Sequence, residues 1–216
     1  VGALDAVVFD MDGTVLDSSR TVPAAYAAAI LELSGRRCSD EEIIGEYGAG
    51  PAAALLSRFI GRAATDADVE CWIGHLQTLS DRTAVYAGIP EALTRLASAG
   101  LRLGIFTGAT RRAAELQLAH TDLRGHFEVV VGSDEITSVK PAPDGIFRAC
   151  ELLGVSPMRT AYVGDALNDL LCAQAADAVP VAAAWGHLFD PTAPAQLTAA
   201  TPQDLLTLLL PSLSGT

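Results

Sequence analysis

The chain has 216 residues, half of them hydrophobic, and carries 14 basic against 26 acidic side chains for a net charge of −12. That length holds one large domain or a core with an inserted subdomain, and it can bury a substantial interior. The charge excludes nucleic acid, whose binding rests on clustered lysine and arginine, and argues against anionic membrane surfaces.

In chain order, an apolar run at 6–9 reads as a strand, and Asp10-Met11-Asp12-Gly13-Thr14 follows it directly. The tip of such a strand is where open α/β sheets bind ligands. Two aspartates one residue apart on a crowded loop ask for a cation or a shared proton. An Asp-x-Asp-Gly string also suits an ordinary turn, so by itself it leaves turn and site both open. A calcium loop fails: counted from Asp10, Val15 stands where glycine is required and Thr21 where a glutamate must close the loop.

A strand starting this early leaves no space for a secretory leader, and apolar runs such as 179–185 are too short to span a bilayer. The four cysteines, Cys38, Cys71, Cys150 and Cys172, form no C-x-x-C pair and read as buried free thiols in a reducing compartment. Together these features predict a soluble, cytoplasmic protein.

From about 18 to 85 the pattern is helical, with no convincing strand. Ser39-x-x-Glu42 and Thr65-x-x-Asp68 have the form of reciprocal helix caps, and Pro23 and Pro51 stand where helices begin. Beyond it, strands expected at 102–106, 128–131, 160–163 and 179–183 alternate with helices expected at 91–99, 111–120, 144–153 and 167–175. Gly100 and Gly154 are placed to end two of these helices. A last helix is expected at 203–210, then a frayed polar end. Such alternation argues for a parallel sheet with helices on both faces.

Three further strand ends carry polar residues. Thr107-Gly108 ends one, Lys140-Pro141 precedes a helix that Pro143 opens, and Gly164-Asp165 ends another with Asp169 four residues on. A parallel sheet brings all of these, with Asp10 and Asp12, to one edge. Each has an ordinary alternative: Thr107 and Asp165 as helix N-caps, Asp169 on a solvated face, Lys140 as a surface residue. Lys140, however, is the only lysine beside thirteen arginines, and a compact ammonium suits a phosphate oxygen or a carboxylate. Four separate strand ends would have to match by accident.

With these four segments the chain resembles the haloacid dehalogenase superfamily, whose members are mostly phosphatases. Residues 9–15, Thr107, Lys140 and 164–169 resemble its four motifs in order, over nearly the whole chain. The resemblance implies an α/β fold: a three-layer Rossmann-like core, residues 1–17 and 86–216, with an inserted all-α cap at 18–85. Caps in that place belong to the phosphoglycolate phosphatase-like and β-phosphoglucomutase-like branch.

It further implies Asp10 as nucleophile and Asp12 as acid and base, the latter also lending its carbonyl to a metal. Mg2+ would be held by Asp10, Asp12 and Asp165, with Asp169 beside or behind them. Thr107, the Gly108 amide and Lys140 would neutralise the phosphoryl oxygens, with backbone donors at Met11 and Gly13. Tyr47 and Gly50, in an uncharged cap loop, would shape the substrate site. Arg58 and Arg62, expected on the helix after that loop, read as surface residues. The second aspartate favours phosphoryl transfer over dehalogenation, because halide leaves without a proton.

The implied partner is a small phosphate ester, phosphoglycolate-like or a sugar phosphate, and the protein a monomer or homodimer. A sugar phosphomutase and a catalytically silent phosphate-binding regulator stay open as alternatives. A receiver domain does not fit, being about half this length.

Overall fold

The computed structural model describes residues 3–210. β1 (Ala6–Phe9) is apolar and buried along its whole length, which requires cover on both faces. β2 (Leu16–Asp17) follows, then four helices: α1 (Thr21–Ser34), α2 (Asp40–Ile44), α3 (Ala52–Ile60) and α4 (Asp66–Thr78). β3 (Ala84–Val85) pairs antiparallel with β2, Leu16 against Val85 and Asp17 against Ala84. Entry to and exit from the helical segment therefore lie side by side.

The rest alternates: α5 (Ile89–Ser98), β4 (Arg102–Phe106), α6 (Arg111–His120), β5 (Val129–Val131), α7 (Asp144–Leu153), β6 (Thr160–Gly164), α8 (Leu167–Ala175), β7 (Val179–Ala183), β8 (Leu197–Ala199) and α9 (Asp204–Leu209). The main sheet runs β5-β4-β1-β6-β7-β8, with every neighbouring pair parallel. Val7 and Phe9 pack with α5, α6 and α9 on one face, whereas Ala6 and Val8 pack with α7 and α8 on the other. Three layers result, as the alternation along β1 requires. The chain builds outward from β1 through β4 to β5, then returns to build β6, β7 and β8 on the other side. The tip of β1 stands at that reversal, the place where a crevice opens in such sheets.

The helical segment has its own apolar cluster, including Ile30, Leu56, Phe59 and Leu76, which meets the rest through Ala113 of α6. Tyr26 stacks on Trp72 within it, ring centroids 4.7 Å apart. Both expected caps form. Ser39 and Glu42 exchange hydrogen bonds at the start of α2, and Thr65 and Asp68 do so at the start of α4. Asp68 reaches despite its length because Arg62 holds its carboxylate with two nitrogens, at 2.6 and 2.8 Å.

Several expectations need correcting. β3 lies in a stretch expected to hold no strand, and β8 was not foreseen; two or three residues are too few to show a period of two. Arg62 is not helical, because Gly61 ends α3 in the left-handed region at φ 75°. Gly154 and Gly100 do end α7 and α5 as expected, both in the left-handed region, with the Val155 and Leu101 amides donating to the Cys150 and Leu96 carbonyls at 3.0 and 3.2 Å. All four cysteines are free, but only Cys150 and Cys172 are buried; Cys38 and Cys71 are half-exposed. The expected polar end beyond Leu210 lies outside the described residues. Among the described residues, no helix is long and apolar enough to cross a membrane.

Candidate active site

The parallel strands bring the polar tips together. Asp10 is the first residue past β1, and its amide donates to the Val163 carbonyl on the neighbouring strand at 2.8 Å. The Lys140 ammonium, from the segment between β5 and α7, donates to Asp10 Oδ1 at 2.6 Å and to Asp169 Oδ1 at 2.7 Å. It sits over the Phe106 and Tyr162 rings, 4.8 and 5.3 Å from their centroids. The lone lysine is thus nearly buried, between two carboxylates and two aromatic faces.

Neither aspartate at β6 and α8 plays its ordinary part. Asp165 follows β6 directly, but Ala166 occupies the N-cap position. Asp165 Oδ2 accepts from the Leu188 amide at 2.9 Å, and Oδ1 from the Thr14 hydroxyl at 3.4 Å. Asp169 is buried on the inner side of α8 rather than solvated. Its Oδ2 accepts from the Ala166 amide at 3.0 Å, so it caps its own helix while its other oxygen meets Lys140. Thr107 is likewise no helix cap, since Thr110 starts α6; the Thr107 hydroxyl accepts from the Ala109 amide at 3.1 Å.

Carboxylate oxygens of Asp10, Asp165 and Asp169 lie within 4.8 Å of one another. Burial, first of all, pushes the Asp10 carboxyl well above its ordinary range; Lys140 opposes this, while Asp169 and Asp165 add to it. Burial also pushes Asp165 up to about 6, with the Leu188 amide pulling the other way. For Lys140, burial lowers the pKa, but Asp10 and Asp169 outweigh it and hold the ammonium above its usual value.

Three buried carboxylates facing one lysine are short of positive charge. A set of hard oxygen donors fits a divalent cation such as Mg2+. The backbone leaves space there: a side chain at Gly13, where φ is 87°, would run into the Asp165 carboxylate. One at Gly186 would meet Asp165 and the Gly13 carbonyl.

Asp12 is turned elsewhere. Its carboxylate accepts from the Ser18 hydroxyl at 2.6 Å. Burial raises its pKa, and the Ser18 hydrogen bond pulls it back in part. Asp10 and Asp12, two residues apart, therefore face different surroundings.

A cavity of about 260 Å3 joins these groups. Asp10, Asp12, Asp165 and Asp169 line it together with Thr107, Gly108 and Lys140. Tyr47 and Gly50 line it from the helical segment, as expected of that loop. Arg58 and Arg62 do not; Arg58 pairs with Glu46 at 2.7 Å and Arg62 with Asp68.

Met11 and Gly13 are not among the lining residues. The Met11 side chain is wholly buried in the core, and its carbonyl accepts from Val15 and Leu16, each at 2.9 Å. The Gly13 amide donates to the Leu16 carbonyl at 2.8 Å, because the loop folds back to bridge Asp12 with Leu16. That amide is engaged within the loop.

Sequence reasoning missed Ser18, Gln117, Ser133 and Trp72, all lining the cavity. It also missed Tyr162, whose hydroxyl donates to the Phe106 carbonyl at 2.9 Å beneath Asp169. Ser18 stands in a run of polar residues, 17–21, after the first motif, the one signal that pointed to it.

Comparison with known proteins agrees. The sequence profile of haloacid dehalogenase-like hydrolases matches residues 7–184. A phosphoglycolate phosphatase of Chromobacterium violaceum is 31% identical over 214 residues, covering 95% of this chain and 96% of the relative. An N-acetylmuramic acid 6-phosphate phosphatase of Pseudomonas aeruginosa is 31% identical over 197 residues, covering 89% and 87%. The crystal structure of CbbY from Rhodobacter sphaeroides in complex with phosphate superposes with a TM-score of 0.83 at 21% identity, covering 94% and 96%. The order of the strand tips, the geometry they build and the match over 7–184 place this chain in the family of haloacid dehalogenase-like hydrolases.

Proposed function

We propose that the protein is a phosphatase that hydrolyses a small phosphate monoester through a covalent phospho-aspartate at Asp10. The observation that carries this reading is the division between Asp10 and Asp12. Asp10 faces Lys140 and the carboxylate cluster, while Asp12 faces Ser18 and the open cavity. Neighbouring carboxyls in different surroundings are the usual basis for separate nucleophile and acid roles.

In the first step an Asp10 oxygen attacks phosphorus, the ester P–O bond breaks, and the leaving oxygen takes the Asp12 proton. Burial, which keeps the Asp12 carboxyl protonated higher than usual, suits it to that donation. In the second, the Asp12 carboxylate takes a proton from water, whose oxygen attacks phosphorus. The Asp10 O–P bond breaks, inorganic phosphate leaves, and both aspartates return to their starting states. Lys140 and the Thr107 hydroxyl stabilise the charge on the transferring group. Mg2+, held by Asp10, Asp165 and the Asp12 carbonyl, would neutralise phosphoryl oxygens and offset the crowded carboxylates. Asp169 positions Lys140 rather than reacting. Residues 18–85 act as the cap over the core formed by 1–17 and 86–216.

Relatives named for phosphatase activity support hydrolysis. Mutase chemistry needs a grip on a second phosphate, and the helical side of the cavity presents Val22, Tyr26, Tyr47, Leu55 and Trp72, none of them cationic. A silent binding protein would not need Asp12 held ready beside the nucleophile.

The test is phosphate release from a panel of sugar phosphates, phosphoglycolate and nucleotides in the presence of Mg2+. Asp10→Asn should lower turnover at least about a thousandfold with the fold intact. EDTA should stop the reaction and Mg2+ restore it. Retained activity in Asp10→Asn overturns the nucleophile assignment, and glucose 6-phosphate as the product from β-glucose 1-phosphate would favour the mutase.

A further inference from the structure

Among the described residues, two groups of three side chains bring histidine, cysteine or carboxylate donor atoms within 4.8 Å of one another. One is the Asp10, Asp165 and Asp169 cluster. The other is Glu32, Cys71 and His75, none of which lines the cavity. Glu32 belongs to α1, and Cys71 and His75 belong to α4.

The helix period explains how they meet. Cys71 and His75 are four residues apart and so share one face of α4. Each stands one residue before a buried one, Trp72 and Leu76. The two donors therefore flank the packed side of the helix, half-exposed. Glu32 reaches them from α1, its Oε2 lying 2.8 Å from His75 Nε2. Trp72, next to Cys71, stacks on Tyr26 of α1, which fixes the two helices against each other beside the donors. Gly74, close to both donors around the helix, is exposed and has open space where a side chain would stand. Water thus has access to the group.

The donor set specifies the ion. Three carboxylates suit Mg2+, whereas a thiolate, an imidazole and a carboxylate together suit a softer ion such as Zn2+. Three protein ligands and one open position are a familiar zinc arrangement. Ligand atoms around tetrahedral zinc stand about 3.3–3.6 Å apart. Atoms already within 4.8 Å reach that spacing by small rotations of side chains that are not buried. His75 stands in the last turn of α4, where the helix carbonyl ends favour positive charge. A glutamate–histidine pair alone is an ordinary surface contact; the thiol beside it makes a chelating set.

We propose that Glu32, Cys71 and His75 bind Zn2+ or a similar divalent transition ion at a site separate from the active centre. The sulfur–metal bond forms as the thiol proton leaves to solvent, and water completes the coordination. The ion ties α1 to α4, the two helices whose Tyr26 and Trp72 line the cavity.

The test uses Co2+ as a spectroscopic stand-in for Zn2+, titrated into the full chain with Mg2+ in excess. A thiolate–Co2+ bond gives a near-ultraviolet charge-transfer band, which a carboxylate site cannot give. The native chain should develop that band at one Co2+ per chain, and Zn2+ should abolish it. Cys71→Ser should remove the band, and His75→Ala should weaken Co2+ binding at least about a hundredfold. Glu32→Gln, at an exposed position, should keep the band but weaken binding about tenfold or more. Cys38→Ser, which removes the other half-exposed thiol, should leave the titration unchanged. Zn2+ should also raise the melting temperature of the native chain above its value in Mg2+, and fail to do so in Cys71→Ser. Circular dichroism checks that each variant is folded. A native chain without the band, a band that survives Cys71→Ser, or binding indifferent to His75→Ala and Glu32→Gln overturns the site.

Discussion

Lys140 shows how one side chain organises a site. Its ammonium joins Asp10 to Asp169 across two hydrogen bonds and lies over the Phe106 and Tyr162 rings. Lys140→Met should keep the fold and lower phosphate release by about a hundredfold or more, as loss of a transition-state cation does. Lys140→Arg should fare little better, because a planar guanidinium cannot take the place of a compact ammonium between two carboxylates. Steady-state kinetics beside circular dichroism checks both; near-native turnover in Lys140→Arg would mean that positive charge alone suffices. This lysine was legible in the sequence because it stood alone. Asp10, Asp12 and Asp165 were legible as charges at the ends of apolar strands. Gln117 and Trp72 were not, because a polar or aromatic residue on an amphipathic helix reads as core or surface until the opposing wall is known. Gly13, with φ 87°, serves the turn and the space beside Asp165.

Among the elements, the core strands and helices were legible to within a residue or two, because buried parallel strands are continuous apolar runs. The short pairings β2, β3 and β8 were hidden by their length. Helix starts carried clearer signals. At the start of α4, Asp68 accepts from the Thr65 amide at 2.7 Å and from the Thr65 hydroxyl at 2.8 Å. The Arg62 guanidinium, followed by that amide, holds the Asp68 carboxyl well below its ordinary value of 3.8. A carboxyl whose pKa falls on folding contributes stability above its unfolded value and loses it as pH drops further. Thermal unfolding of the native chain should therefore weaken below about pH 4, and Asp68→Asn should flatten that decline while lowering the melting temperature at pH 7. An unchanged acid slope in Asp68→Asn would show that the pair contributes nothing on folding.

For the whole molecule, a net charge of −12 and a cluster of buried carboxylates point in one direction: the protein holds its active centre together under electrostatic tension. Asp10 and Asp165 both hold protons more tightly when folded than when unfolded. A raised carboxyl pKa stabilises the fold at low pH, and that stability is lost as pH rises through the folded value, about 6 for Asp165. In EDTA, the melting temperature should rise as pH is lowered from 7.5 to 5.5. Mg2+ should raise it most at pH 7.5 and remove the slope. Scanning calorimetry at the two pH values, with and without Mg2+, reads this directly; equal effects of Mg2+ at both would contradict it. High salt should weaken only the contribution of the surface charges, since the buried cluster is poorly screened.

The two-residue ribbon of β2 and β3 has one more consequence. Leu16 pairs with Val85 in that ribbon and is also bridged to Asp12. Ser18, which holds the Asp12 carboxylate, lies between the ribbon and α1. Both connections of α1–α4 to the rest of the chain thus meet beside Asp12. On the mechanism proposed above, a swing of the helices would reach Asp12, the acid, through this ribbon before it reached Asp10, the nucleophile.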